Sequence, residues 1–312
     1  MIALNTAKGI IQINSWQDII DRPHFRNDIN PADVTLREII GSYHFSEDVA
    51  CGLTTCHQPH KRGYIVMTKE GFETNIGKDC GKSYFSVDFV DMKTRFDKDV
   101  KIYQQRQNVK AMQSKASELL AIVDNLRQQA RGADWIYTCI AQLRNPAVVG
   151  EKVTAELRKM IKERRKALLS PREATKEERE SAFAMDPSLA TKLKGEPYYI
   201  DVVVGSIEFL EAMYKENDLK EILIRDVTRI LKQLLESDPD SLKARELAQL
   251  SKDASGVQIK IDMAKDIIPI GQKFLTYENL SPLAGWVESQ FGERAAASFK
   301  LFIERIKMAS QA

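Results

Sequence analysis

The longest periodic stretch of the chain runs from Ser86 to Arg131. Phe89, Met92, Phe96, Val100 and Tyr103 step by three or four, and so do Val109, Met112, Ala116, Leu119, Val123 and Leu126. That spacing gathers apolar side chains on one face of a helix. Neither Pro nor Gly interrupts it, but it slackens over Gln104–Asn108, which leaves either one long helix or two in succession. Gly132 ends the pattern, and Asp134 starts a shorter helix to Leu143 with Cys139 as a core residue. Pro146 suits a first helical turn and opens the next helix, striped by Val149, Val153, Leu157, Met160, Ile161 and Leu168. Amphipathic helices joined by short connections predict an antiparallel helical hairpin over residues 86–169.

Residues 170–197 are rich in Glu, Lys, Arg, Ser and Pro and read as a linker. Tyr198–Val204 is β-prone, either a short strand or the start of a helix over Ser206–Lys215. Helical stripes then recur over Leu219–Glu236, Pro239–Leu250, Gln258–Phe274, Leu280–Gln290 and Phe291–Met308, with Pro269 expected to kink its helix. Residues 198–312 therefore predict a helical bundle that folds by itself. Residues 1–50 predict an N-terminal cap, with short helices at Trp16–Asp21 and Leu36–Ile40 and a strand at Ile10–Ile13.

Between cap and helices the period changes to two. Tyr64, Ile65, Val66 and Thr68 are strand formers, Gly71 supplies a turn, and Phe72, Thr74 and Ile76 alternate. This hairpin brings the Cys51–His60 loop beside Cys80, so residues 51–85 form one small module. The expected fold is mainly α: a helical hairpin and a helical bundle, with a small treble-clef-like zinc β-hairpin module near the N-terminus.

Composition changes the picture in two places. The chain has 312 residues, 43% apolar and 29% charged, which excludes a wholly disordered protein and suggests about two domains. No apolar run approaches the roughly 20 residues of a membrane span, and Met1–Ile20 lacks a secretory apolar core. The expected location is the cytoplasm of a bacterial cell, away from membranes. The net charge is only +2, which excludes a globally basic nucleic-acid coat. The basic surplus is local: residues 51–115 hold 12 basic and 7 acidic side chains, and residues 151–180 hold 10 and 7.

Cys51, Cys56 and Cys80 lie in the first basic stretch together with His57 and His60. A long chain with four cysteines and no secretory signal makes a poor disulfide framework, whereas clustered Cys and His suit a metal. A structural zinc takes four soft or borderline ligands, and Cys51, Cys56, His60 and Cys80 supply them, with His57 as the rival to His60. Loop, hairpin, then a ligand near a helix start is the element order of a treble clef. The segment Cys51…Cys56…His60…Gly63-Tyr64…Gly71…Asn75-Ile76-Gly77…Cys80-Gly81…Phe85 resembles uncharacterised zinc-finger proteins of phages and bacterial mobile elements. The resemblance implies a phage or mobile-element setting and carries no activity with it.

The sequence has no phosphate-binding glycine loop, nucleophile elbow or HExxH motif, so neither an enzyme nor a small-molecule substrate is expected. Two functional classes remain. One is nucleic-acid binding through Lys61, Arg62, Lys69, Lys78 and Lys82 of the zinc module, with Tyr64, Phe72 and Tyr84 interleaved, extended by Lys159, Lys162 and Arg165. The other is a protein-binding adaptor or inhibitor that engages a host defence protein through its helical surface.

Overall fold

The computed structural model describes residues 2–6, 9–193 and 196–311. Helices dominate, as expected, and the chain divides into two compact units, Met1–Ala111 with Asp238–Lys252, and Met112–Ser237 with Asp253–Ala312. These boundaries differ from those expected from the sequence.

In the first unit, β1 (Ile2–Thr6) and β2 (Gly9–Ile13) precede a one-turn helix, α1 (Gln17–Ile20). β3 (Leu36–Ala50), β4 (Pro59–Thr68) and β5 (Glu73–Gly77) follow, and then the long α2 (Lys78–Gln113). The strands form one antiparallel sheet in the order β2-β1-β3-β4-β5. The expected cap and zinc module are thus parts of a single sheet. Leu36–Ile40, expected as a helix, is the start of the central strand. Its spacing misleads because β3 is buried on both faces, so its apolar residues run together instead of alternating. Leu36 and Ile39 join Val66, Ile76, Phe89 and Phe96 on one side, while Ile40 and Tyr43 join Ile2, Leu4, Ile19 and Ile65 on the other.

Ser86, with φ 51° and ψ −132°, breaks α2 after two turns. The lower part of α2 holds the late segment of this unit: Arg106 donates to the Pro239 carbonyl (3.0 Å), and Lys110 pairs with Asp240 (2.8 Å).

The periodic run is two helices that part at residues 114–115, later than the slack at Gln104–Asn108, and the second unit takes over at Met112, in the last turn of α2. Its helices are α3 (Ala116–Gln128), α4 (Ala133–Leu143), α5 (Pro146–Val149) and α6 (Glu151–Glu163). Asn145 caps α5 by accepting from the Ala147 amide, and Gly150, at φ 91°, separates α5 from α6. The expected linker is instead structured: β6 (Ala167–Glu173), α7 (Lys176–Met185), α8 (Ser188–Leu193) and β7 (Tyr199–Ser206), with β6 and β7 paired antiparallel. A π-helical turn over Glu221–Thr228 leads into α9 (Arg229–Glu236), followed by α10 (Ala244–Ser255), α11 (Val257–Phe274), α12 (Tyr277–Phe291) and α13 (Glu293–Gln311). α11 keeps Pro269 in its interior.

Residues 198–312 do not form a separate bundle. α9 packs on α3, α12 on α6 and β7, and α13 on α5, so the core is shared with residues 116–173. Cys139 is buried in this unit, as expected of a core residue.

Candidate metal centre

The metal loop starts where β3 ends. The Cys51 amide donates to the Gln58 carbonyl (3.1 Å), and the Cys56 and His57 amides donate to the Leu53 carbonyl (3.0 and 3.2 Å). The loop is also tied to its surroundings. Gly52 donates to the Asn75 carbonyl (2.8 Å), Thr54 to the Ile29 carbonyl (3.0 Å), and Ile29 back to the Gly52 carbonyl (3.0 Å). Gly52 has no room for a side chain, since a Cβ there would sit 2.1 Å from Thr74 Oγ1. At the far end of the β4–β5 hairpin, Cys80 occupies the first turn of α2.

This geometry brings Cys51, Cys56 and Cys80 together, with all three sulfurs within 4.8 Å of one another. Cys56 Sγ and Cys80 Sγ are 3.1 Å apart. Zinc–sulfur bonds of about 2.3 Å set the sulfurs of a tetrahedron about 3.8 Å apart, so the cluster has the right scale. Backbone amides also point at the sulfurs: those of Leu53 and Gly77 at Cys51, and that of Gln58 at Cys56. Amide donors stabilise thiolates, the form that binds metal.

Without a cation the three thiols compete. Burial, and then the neighbouring Cys56 thiol, push Cys80 up to about 12, although a helix start by itself favours the thiolate. Burial also raises Cys51. Cys56 moves down because the Cys80 thiol donates to it. A divalent cation removes this conflict by allowing all three to ionise.

His60, expected as the fourth ligand, is not in the cluster. Its Nδ1 lies 3.1 Å from the Gln58 carbonyl and its Nε2 lies 2.5 Å from the Tyr43 hydroxyl. A carbonyl only accepts, so Nδ1 carries the hydrogen and Nε2 accepts from Tyr43. Asn75 Nδ2 in turn donates to the Tyr43 oxygen (3.1 Å) and to the Ala50 carbonyl (2.8 Å). No lone pair of His60 is left for a metal. His57 also lies outside the cluster of the three sulfurs, but its ring has the complementary arrangement: Nδ1 faces the Cys51 carbonyl (3.1 Å), which leaves the Nε2 lone pair available. Its backbone is left-handed, at φ 49°.

Gly81 leaves room for the core behind the cluster, because a Cβ there would lie 2.4 Å from the ring of Phe89.

Lys61, Arg62, Lys69, Lys78 and Lys82 are exposed, and among the described residues none of them enters an ion pair. Lys159 and Lys162 are exposed in the second unit, but Arg165 is held by Glu156 (2.8 Å) and Glu163 (3.0 Å). Of the interleaved aromatics, Tyr64 is structural: it packs edge-on against Phe89 and donates to Asp97 (3.2 Å). Phe72 lies under Arg26, and Tyr84 is exposed, with its hydroxyl 3.5 Å from the Thr55 carbonyl.

An aromatic group around Tyr43 escapes sequence reading. Trp16 lies 5.0 Å from Tyr43, 5.6 Å from Phe45 and 6.0 Å from Phe25. The only available signal was the density of aromatics in a segment otherwise read as a cap. No family model, curated protein or solved structure matches the chain. Among the described residues no helix is long and apolar enough to cross a membrane.

Proposed function

We propose that the first unit is a zinc-stabilised nucleic-acid-binding module of the kind carried by phages or mobile elements. Cys51, Cys56 and Cys80 hold the zinc, and His57 rather than His60 completes the set through Nε2. The order of knuckle loop, hairpin and helix-borne ligand supports a treble-clef reading, and four protein ligands make the metal structural rather than catalytic. The observation that carries the binding function is the set of exposed, unpaired cations at Lys61, Arg62, Lys78 and Lys82, which lie at the end of the hairpin that bears the metal loop, with Lys69 at its opposite, turn end. Such cations bind phosphate by releasing counterions.

Two experiments test this. Metal analysis should give about one zinc per chain. The cobalt-substituted protein should change its visible spectrum in His57→Ala and keep it in His60→Ala; the reverse outcome returns His60 to the site. Titration against single- and double-stranded oligonucleotides at two salt concentrations should show salt-sensitive binding. Lys61→Glu/Arg62→Glu should weaken it, each lost phosphate contact reducing the salt slope by roughly 0.7–0.9. Absence of salt-sensitive binding by the wild-type protein would overturn the nucleic-acid reading.

A second reading, a protein-binding adaptor or inhibitor acting on a host protein, is favoured by the β6–β7 hairpin. There Tyr199, Val203 and Val204 are exposed along one strand.

A further inference from the structure

Against the metal loop, within the first unit, lies a cleft of about 520 Å³ whose walls include Trp16, Phe25, Asp28, Val49 and Asn75, and also Cys51 and His57, two of the proposed zinc ligands. We propose that it receives one unpaired nucleobase with hydrogen-bond donors on its pairing edge, guanine above the others, from a single strand held by the hairpin cations. The inference rests on the nucleic-acid reading and adds to it a base-selective subsite.

The volume falls in the range of small-ligand sites. The wall formed by Trp16 and Phe25 is preorganised. Their rings meet at 87°, and Trp16 is backed by Tyr43 and Phe45. An aromatic face of this kind stacks any base. The segment that carries Phe25, Asn27 and Asp28 is pinned at both ends. Arg26 donates to the Glu73 carbonyl (2.7 Å) and Glu73 to the His24 carbonyl (2.8 Å), while Ile29 is bonded to the metal loop. Arg22 adds a two-pronged ion pair to the buried Glu73 carboxylate.

Selectivity follows from the polar groups. Asn75 is only 2% exposed, and its amide nitrogen is committed to Tyr43 and the Ala50 carbonyl. Its side-chain oxygen accepts no hydrogen bond from any described residue. Asp28 is exposed and enters no ion pair among the described residues. Two acceptors on the cleft wall are therefore uncommitted, the Asn75 side-chain oxygen and the Asp28 carboxylate. Guanine meets them with its ring N–H and amino group. Thymine and uracil offer a single ring N–H between two carbonyl oxygens, so they can meet only one of the acceptors and set an oxygen against the other.

The cations are also placed for this role. β3 and β4 pair Ala50 with Pro59 and Val49 with His60, so Lys61 and Arg62 follow directly along β4 from the residues opposite the cleft wall. At about 3.3 Å per residue, they lie within one nucleotide step or two of it.

The test uses the full-length, zinc-loaded protein and dye-labelled oligonucleotides of equal length: all-thymine, the same strand with one central guanine, and the same strand with one central abasic site, each as DNA and as RNA. The guanine strand should bind roughly tenfold more tightly than the all-thymine strand. Asp28→Asn should erase that preference without changing the salt slope. Lys61→Glu/Arg62→Glu should weaken all strands alike. Salt-sensitive binding that ignores the central base would overturn the cleft and leave the nucleic-acid reading intact. If no strand binds, the nucleic-acid reading fails, and titration with guanosine monophosphate decides the cleft. A change in tryptophan fluorescence that is lost in both Trp16→Phe and Asp28→Asn keeps it as a mononucleotide site, and no change removes it.

Discussion

Two histidines three residues apart end in different chemical states because different partners reach them. Tyr43 and the Gln58 carbonyl occupy both nitrogens of His60, whereas the Cys51 carbonyl takes only one nitrogen of His57. Tyr43 lies 17 positions upstream of His60, so loop spacing alone has no access to that outcome. The cysteines were legible because their chemistry is local and their hairpin is short. Their environments predict a reactivity order. After chelation of the metal, Cys56 should react first with a thiol reagent near neutral pH, because its pKa is lowered and more of it is thiolate. Cys139 should react last, since it is buried in the core of the helical unit whereas the cluster thiol of Cys80, also raised, is partly open to the reagent. Single Cys→Ser variants followed by timed disulfide-exchange assays check the order. The raised pKa of Cys80 means that the metal-free cluster still holds protons at neutral pH. Loading the proposed metal should therefore release protons and weaken as pH falls, which calorimetry in buffers of different ionisation enthalpy measures. At Gly52 the issue is space. Gly52→Ala forces a methyl onto the Thr74 hydroxyl and should cost about 1–3 kcal/mol in urea unfolding.

At the scale of elements, helices of the second unit such as α4, α11 and α13 follow their apolar stripes to within a few residues. Strands fared worse, for two reasons. β3 is covered on both faces and loses its alternation, and β6 runs into the polar stretch read as a linker, with 25 residues between it and its pairing partner, β7. Pairing over such distances is decided by tertiary contacts that a local window does not contain. The segment before β3 is held to the sheet by the Arg22–Glu73 pair. Glu73 is 3% exposed and Arg22 about one-third exposed. Removing the cation strands a buried carboxylate, so Arg22→Ala should lower stability by up to about 3 kcal/mol, the partial exposure of Arg22 moderating the loss. Replacing both residues with a matched apolar pair should recover most of it. Chemical denaturation of the three proteins tests the claim.

At the scale of the whole molecule, metal removal should act unequally. All three thiols belong to the first unit, so chelation should lower the thermal transition of that unit and leave the helical unit unchanged. Calorimetric scans with and without chelator should separate the two. A fragment starting near Tyr198 should fail to melt cooperatively, because α9, α12 and α13 lose α3, α5 and α6 as packing partners. A cooperative melt of that fragment would show that the shared core is dispensable.

The passage of the chain from one unit to the other and back sets a timetable for synthesis. The first unit needs Asp238–Lys252, which Arg106 and Lys110 engage through Pro239 and Asp240, and these residues leave the ribosome long after Ala111. At ordinary elongation rates of about 5–20 residues per second, the delay is roughly 7–28 s. Throughout that interval the metal loop and its hairpin are already complete in the nascent chain, while the lower end of α2 waits for its partner. Capture of a metal early in translation would hold the completed sheet to the start of α2 until the helical segment that its lower end awaits arrives.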